Sequence, residues 1–251
     1  MVARTDNVSD PALAASLLLA RRGQAYFSRK LNELRDADFD APSLLPGWSR
    51  RHLIAHVGYN ARAVARLVEW AATGVETPMY ESPSQREEEI EFGATLPTEA
   101  LRNLSAHAAV HLNVSWRDLS AEAWDHEVTT AQGRQVPVSE TVWMRTREVW
   151  LHAVDLDNGG SVEDFPTELV DLLLEDLVRV WRRKRVANGA PNVILEPTDR
   201  NADFRVDDDP APDSLVVRGD AARLVAWGTG RGHTGVLTAD GAPPPAAPAW
   251  L

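Results

Sequence analysis

Between Asp10 and Leu156 the apolar residues recur at helical spacing in four long stretches, each with its own start and stop signals. This pattern limits the fold more than anything else in the chain. Each stretch carries one apolar stripe, and a stripe of that width is covered by packing against other stripes of the same kind. Asp10-Pro11 reads as an N-cap followed by proline at the first helical position, and the period then runs to about Leu34. After a loop containing residues 41–48, Ser49 caps a second helix that closes at Gly74. A long connection follows, with a short helix expected after Ser82-Pro83. Thr98 opens a third long helix running to about Trp116, and Ser139 opens a fourth, stopped by Asn158-Gly159-Gly160. Four amphipathic helices with one long crossover predict a helix bundle.

After Gly160 the texture changes. One more helix is expected from Pro166 to Arg185, followed by short β-like runs at 192–196, 202–206, 214–218 and 235–239. Between the last two runs, residues 219–232 read as a short helix ending at glycines. The fold class predicted is therefore α+β: a four-helix bundle over 1–160, followed by a small C-terminal α/β domain over 161–251. The proline-rich tail, residues 242–250, is expected to be extended.

Charge and composition narrow the function. A net charge of −11 argues against a nucleic-acid partner, because phosphate backbones require a basic face. The one basic cluster, Trp181 to Arg185, falls where a helix should end, and there cations complement the helix dipole. No apolar run approaches bilayer-spanning length, and the N-terminal apolar patch is broken by Arg21 and Arg22. We therefore expect no signal peptide, no membrane partner and a cytoplasmic location. Oligomeric state is left open, and a monomer is compatible with the sequence. The chain has no cysteine, which excludes disulfides, thiolate ligands and a protein thiol nucleophile. Any sulfur chemistry must borrow its thiol from a small molecule.

Glu148 and His152 stand four apart on the fourth helix, among Trp143, Met144, Val149, Trp150, Leu151 and Val154. On a helical wheel they fall within roughly 40° of each other. Arg145 and Asp155 extend the same polar stripe. So much of this helix is apolar that the stripe is expected to face the interior, where polar groups must be paired, solvated or bound to something. A third ligand would come from another helix. The second offers His52 and His56, and His56 lies nearer the apolar face set by Leu53, Ile54, Val57, Val64 and Val68. His56 is therefore selected. Nothing singles out His107 and His111 on the third helix. A His–Glu–His set suits a catalytic zinc with an open water position. Alone, a Glu/His pair at this spacing is also an ordinary helix-surface contact.

The stretch "LLPGWSRRHLIAHVGYNARAVARLVEWAATG" resembles the second helix of the DinB-like metal-binding bundles, whose histidine follows the Trp by eight positions. Here these are Trp48 and His56. The combination of "HLIAHVGYNA", "ETPMY", "HEVTTAQGRQVPVSETVWMRTREVWLHAVDL", "GDAARLVAWGTGRG" and the terminal Trp-Leu resembles the mycothiol-dependent maleylpyruvate isomerase family, over nearly the whole chain. The resemblance implies a zinc ion held by His56, Glu148 and His152. It also implies mycothiol as the thiol cofactor, which fits the absence of cysteine.

The activity implied is conversion of maleylpyruvate to fumarylpyruvate in gentisate-type aromatic catabolism. Reversible thiolate addition makes the double bond single, rotation follows, and elimination returns the thiol. Zinc favours the thiolate in such a scheme. The substrate is a dicarboxylate, so cations are needed. Arg231, flanked by glycines in "GTGRGHTG", and Arg86, after the long connection, are the candidates for substrate binding, and Arg231 is also a catalytic candidate. Asp155 is the second catalytic candidate, through orienting a ligand; capping the helix end or pairing with Arg145 are its other readings. Two competing functions use the same residues: a zinc-dependent mycothiol S-transferase acting on electrophiles, and a non-catalytic metal-binding module.

Overall fold

The computed structural model describes residues 5–207, 211 and 214–250, and its chain divides into two units, residues 1–160 and 161–251. The first unit opens with α1 (Pro11–Glu33), started by Asp10, whose carboxylate accepts from the Ala12 amide at 2.9 Å. Next comes α2 (Arg50–Thr73), which ends on Gly74 in the left-handed conformation at φ 74°. There a side chain would be strained, so glycine is the natural stop. The short α3 (Gln85–Ala94) precedes α4 (Thr98–Asp118). A small antiparallel hairpin, β1 (Glu127–Thr129) and β2 (Gln135–Pro137), leads into α5 (Glu140–Asp155).

The four long helices close a ring: α1 packs on α5, α5 on α2, α2 on α4, and α4 on α1, while α3 lies along α2. Their shared core includes Leu17, Val64, Leu67, Val68, Leu112, Trp116 and Val142. Two helix pairs approach closely because a glycine stands at the contact. A Cβ on Gly23 of α1 would fall 2.5 Å from the Trp150 ring of α5, and one on Gly93 of α3 would fall 2.5 Å from Ala55 of α2.

Arginines satisfy the carbonyls that helix ends leave open. Arg102 donates to Leu31 O and Leu34 O, both at 2.6 Å, where α1 ends. Arg50, the first residue of α2, donates to Leu156 O and Asp157 O, both at 2.6 Å, where α5 ends. This second contact matters for function, since it fixes the C-terminal turn of α5 against the start of α2.

The second unit begins with α6 (Thr167–Asn188) and contains β3 (Val193–Pro197), β4 (Phe204–Arg205), β5 (Leu215–Gly219), α7 (Ala221–Gly228) and β6 (Leu237–Thr238). The sheet order is β4-β3-β5-β6, with β3 and β5 parallel and the outer pairs antiparallel. Helices α6 and α7 pack on each other, with Trp181 edge-on to Trp227 at 5.9 Å. The tail has no regular secondary structure, and indoles hold it down. Trp181 donates to Pro248 O at 3.0 Å, Trp227 to Pro245 O at 2.8 Å, and Trp250 to the Asp176 carboxylate at 3.1 Å.

Candidate metal centre

His56, Glu148 and His152 come together, one ligand atom from each lying within 4.8 Å of the others. Their helices explain why. Apolar residues seat α2 on α5, and His56 projects from α2 with only 5% of its surface exposed. One turn apart on α5, Glu148 and His152 meet it. A single carboxylate oxygen, Glu148 Oε2, lies 2.9 Å from His56 Nε2 and 3.1 Å from His152 Nε2. The two imidazoles stand edge to face with centroids 5.0 Å apart. The Glu148 side chain keeps 25% of its surface exposed, so the cluster is not sealed from solvent.

The protons on His152 are set by Asp155. Its Oδ2 lies 2.8 Å from His152 Nδ1, and the residue is fully buried. An ionised carboxylate only accepts, so Nδ1 carries the hydrogen, and Nε2 of the neutral ring turns a lone pair toward Glu148. A lone pair facing a carboxylate oxygen calls for a positive charge between them. A proton supplies it in the metal-free protein: burial disfavours the His152 cation, but Asp155 and Glu148 outweigh it and raise the pKa. Burial also opposes ionisation of Glu148, yet His56 and His152 hold its carboxyl well below the usual range. For His56 burial prevails over the pull of Glu148 and lowers the pKa, which favours the neutral ring that a metal ion requires of its ligand.

These donors fit a divalent ion. Two imidazole nitrogens and a carboxylate oxygen are a common zinc set, and donors around tetrahedral zinc sit roughly 3.3 Å apart, close to the spacing here. Asp155 completes the carboxylate–histidine arrangement that orients metal-bound imidazoles. Arg145 is 2% exposed and donates to Val57 O at 2.8 Å, Asn60 Oδ1 at 2.9 Å and Gln24 Oε1 at 2.9 Å. Burial brings its pKa down to about 10. It ties α1, α2 and α5 together and does not pair with Asp155, whose partner is His152.

The other histidines are accounted for differently. His52 belongs to the start of α2: its Nδ1 lies 2.7 Å from Ser49 Oγ and accepts from the Ser49 amide at 3.3 Å. Neither His107 nor His111 joins the cluster. Arg86 does come near, its guanidinium 5.9 Å above the Trp48 ring, which in turn lies 5.3 Å from His56. It also pairs with Glu87. Arg231 belongs to the second unit, where it donates to Thr229 O at 2.8 Å. Sequence reasoning did not foresee Gln24 or Arg50, because each acts on a helix remote in the chain.

The mycothiol maleylpyruvate isomerase N-terminal domain matches residues 20–157, which carry all three cluster residues. Two solved structures align with 95% of this chain and 97% of their own, each at 44% identity. One is a crystal structure of mycothiol-dependent maleylpyruvate isomerase, with a TM-score of 0.89, and the other is a histidine-to-alanine mutant of such an enzyme, at 0.88. Among curated proteins no match was found.

Proposed function

The chain belongs to the mycothiol-dependent maleylpyruvate isomerase family, and from that premise we propose that it converts maleylpyruvate to fumarylpyruvate with mycothiol and a zinc ion held by His56, Glu148 and His152. The observation that carries this reading is the convergence of three donor atoms on one point, with His152 held in the ligating tautomer by Asp155. Bound there, a divalent ion supplies Lewis acidity, which favours a thiolate at neutral pH. Mycothiol supplies the sulfur nucleophile, whose reversible addition to the double bond permits rotation about it. The partners are thus a small-molecule substrate and a low-molecular-weight thiol, and a cytoplasmic location is part of the proposal.

The protein's own residues have distinct work. Asp155 fixes the His152 ring, and Arg145 fixes the three helices around the site while balancing part of the Glu148 charge. Trp48 packs beside His56, its ring tilted by 57° at a centroid distance of 5.3 Å, and adds apolar surface next to the ligand. Arg86 is the proposed contact for a substrate carboxylate. Arg231 is proposed for the same chemistry, on its charge and glycine neighbours. Arg86→Ala should raise KM more than it lowers kcat, because a carboxylate clamp binds ground and transition states alike. An unchanged KM would remove Arg86 from the site.

The direct test follows absorbance as maleylpyruvate is consumed and fumarylpyruvate forms, with mycothiol present and absent. Turnover that requires the thiol supports the reading. A zinc-loaded protein that leaves maleylpyruvate unchanged, yet conjugates mycothiol to an electrophile, would replace it with an S-transferase.

A further inference from the structure

Arg50 opens α2 and crosslinks it to the far end of α5. Its Nε donates to Leu156 O and its Nη2 to Asp157 O, both at 2.6 Å, and its Nη1 donates to Asp38 O at 3.2 Å. The side chain is 12% exposed. The two carbonyls on α5 lie where the helix ends and leaves them open, and a cation there complements the helix dipole. Asp157 is left-handed at φ 49°, the one residue other than glycine to be so among the described residues, and such a turn persists where its surroundings hold it. The loop before α2 adds a tie of its own, the Leu44 amide donating to Asp155 O at 3.0 Å.

Arg145 makes the reciprocal crosslink, from α5 to Val57 O and Asn60 Oδ1 of α2 at 2.8 and 2.9 Å. The metal cluster lies between the two. Along α2 the order is Arg50, His56, Asn60, and along α5 it is Arg145, Glu148, His152, Leu156. At 1.5 Å per residue the crosslinks stand about 15 Å apart on α2 and about 16 Å apart on α5. All three ligands therefore project from a span that is fixed at both ends. Zinc accepts a donor only within about 0.2 Å of its usual distance. Hydrophobic burial is non-directional and sets no spacing that finely, whereas a planar guanidinium fork does.

Resting on the metal centre of the isomerase reading, we propose that Arg50 is a positioning residue of that centre. By holding the end of α5 to the start of α2, it sets the separation of His56 from Glu148 and His152. It acts through the two helices that carry the ligands.

The experiment measures zinc affinity against a competing chelator, and the visible spectrum of the cobalt-substituted protein, for wild type, Arg50→Ala, Arg50→Lys and Arg102→Ala. Arg102 is the control. It also makes two bonds of 2.6 Å to carbonyls at a helix end, but it joins α4 to α1, and neither of these carries a ligand. Both alanine variants should lower Tm. Only Arg50→Ala should bind zinc about tenfold more weakly, with the cobalt bands changed in position or intensity. Arg50→Lys keeps the charge without the fork and should show the same direction of change, which decides the matter if the alanine variant does not fold. Zinc affinity within about twofold of wild type and unmoved cobalt bands in the Arg50 variants would overturn the proposal, as would an equal loss of affinity in Arg102→Ala. A wild-type protein that binds no zinc would overturn it together with the metal centre. One that binds zinc without isomerising maleylpyruvate would overturn the isomerase reading alone.

Discussion

At the scale of single residues, Asp155 decides which nitrogen of His152 is free to bind a cation. It is fully buried and 2.8 Å from Nδ1. Replacing a carboxylate behind a metal-bound histidine typically weakens metal affinity about 10- to 100-fold. Asp155→Asn should therefore lose metal to a chelator in that range while circular dichroism stays native. Affinity equal to wild type would show that Asp155 does not set the tautomer. The same scale explains what the sequence revealed of the site. Glu148 and His152 were legible because four residues on one helix mean one face, and His56 because its wheel position differs from that of His52. What could not be read was the capping role of His52, which depends on how the loop turns at Ser49. Nor could the contact of Arg145 with Gln24 be read, since Gln24 lies 121 residues away along the chain.

At the scale of elements, the site depends on how closely helices approach. Gly23 lets α1 lie against Trp150, two residues from Glu148 and from His152 on α5. Trp150 also donates to Leu19 O at 3.1 Å, so this contact is fixed from both sides. Gly23→Ala puts a methyl group into the indole, and overpacking of this kind costs about 1–3 kcal/mol. Urea unfolding should show that loss, along with weaker metal binding as α5 shifts. Unchanged stability would mean that α1 can move away freely. The long helices were legible because each had caps and twenty or so residues of period. The hairpin β1–β2 was not, because three residues per strand are too few to display alternation. The second unit's strands were legible as short β-branched runs, but their order was not. Pairing of β3 with β5 skips β4, and only the tertiary fold determines that.

For the molecule as a whole, the proposed function joins the absence of cysteine and the His–Glu–His cluster in one chemistry: the protein would provide the metal ligands and a cofactor the sulfur. A bundle lends itself to this, since donors from two facing helices meet at a fixed distance that packing maintains. Metal should then stabilise the first unit as well as activate it, because an ion that binds only the folded state raises stability in proportion to the logarithm of its concentration over Kd.

The measurement that tests the account most directly is metal content and isomerase activity on the same samples, for wild type and His56→Ala, stripped by chelator and then restored with zinc. The account predicts one zinc per wild-type chain, with activity lost on stripping and recovered on restoration in the presence of mycothiol. It predicts neither stable zinc nor activity in the variant. Full activity in the stripped wild-type protein, or in a zinc-free His56→Ala protein, would contradict it.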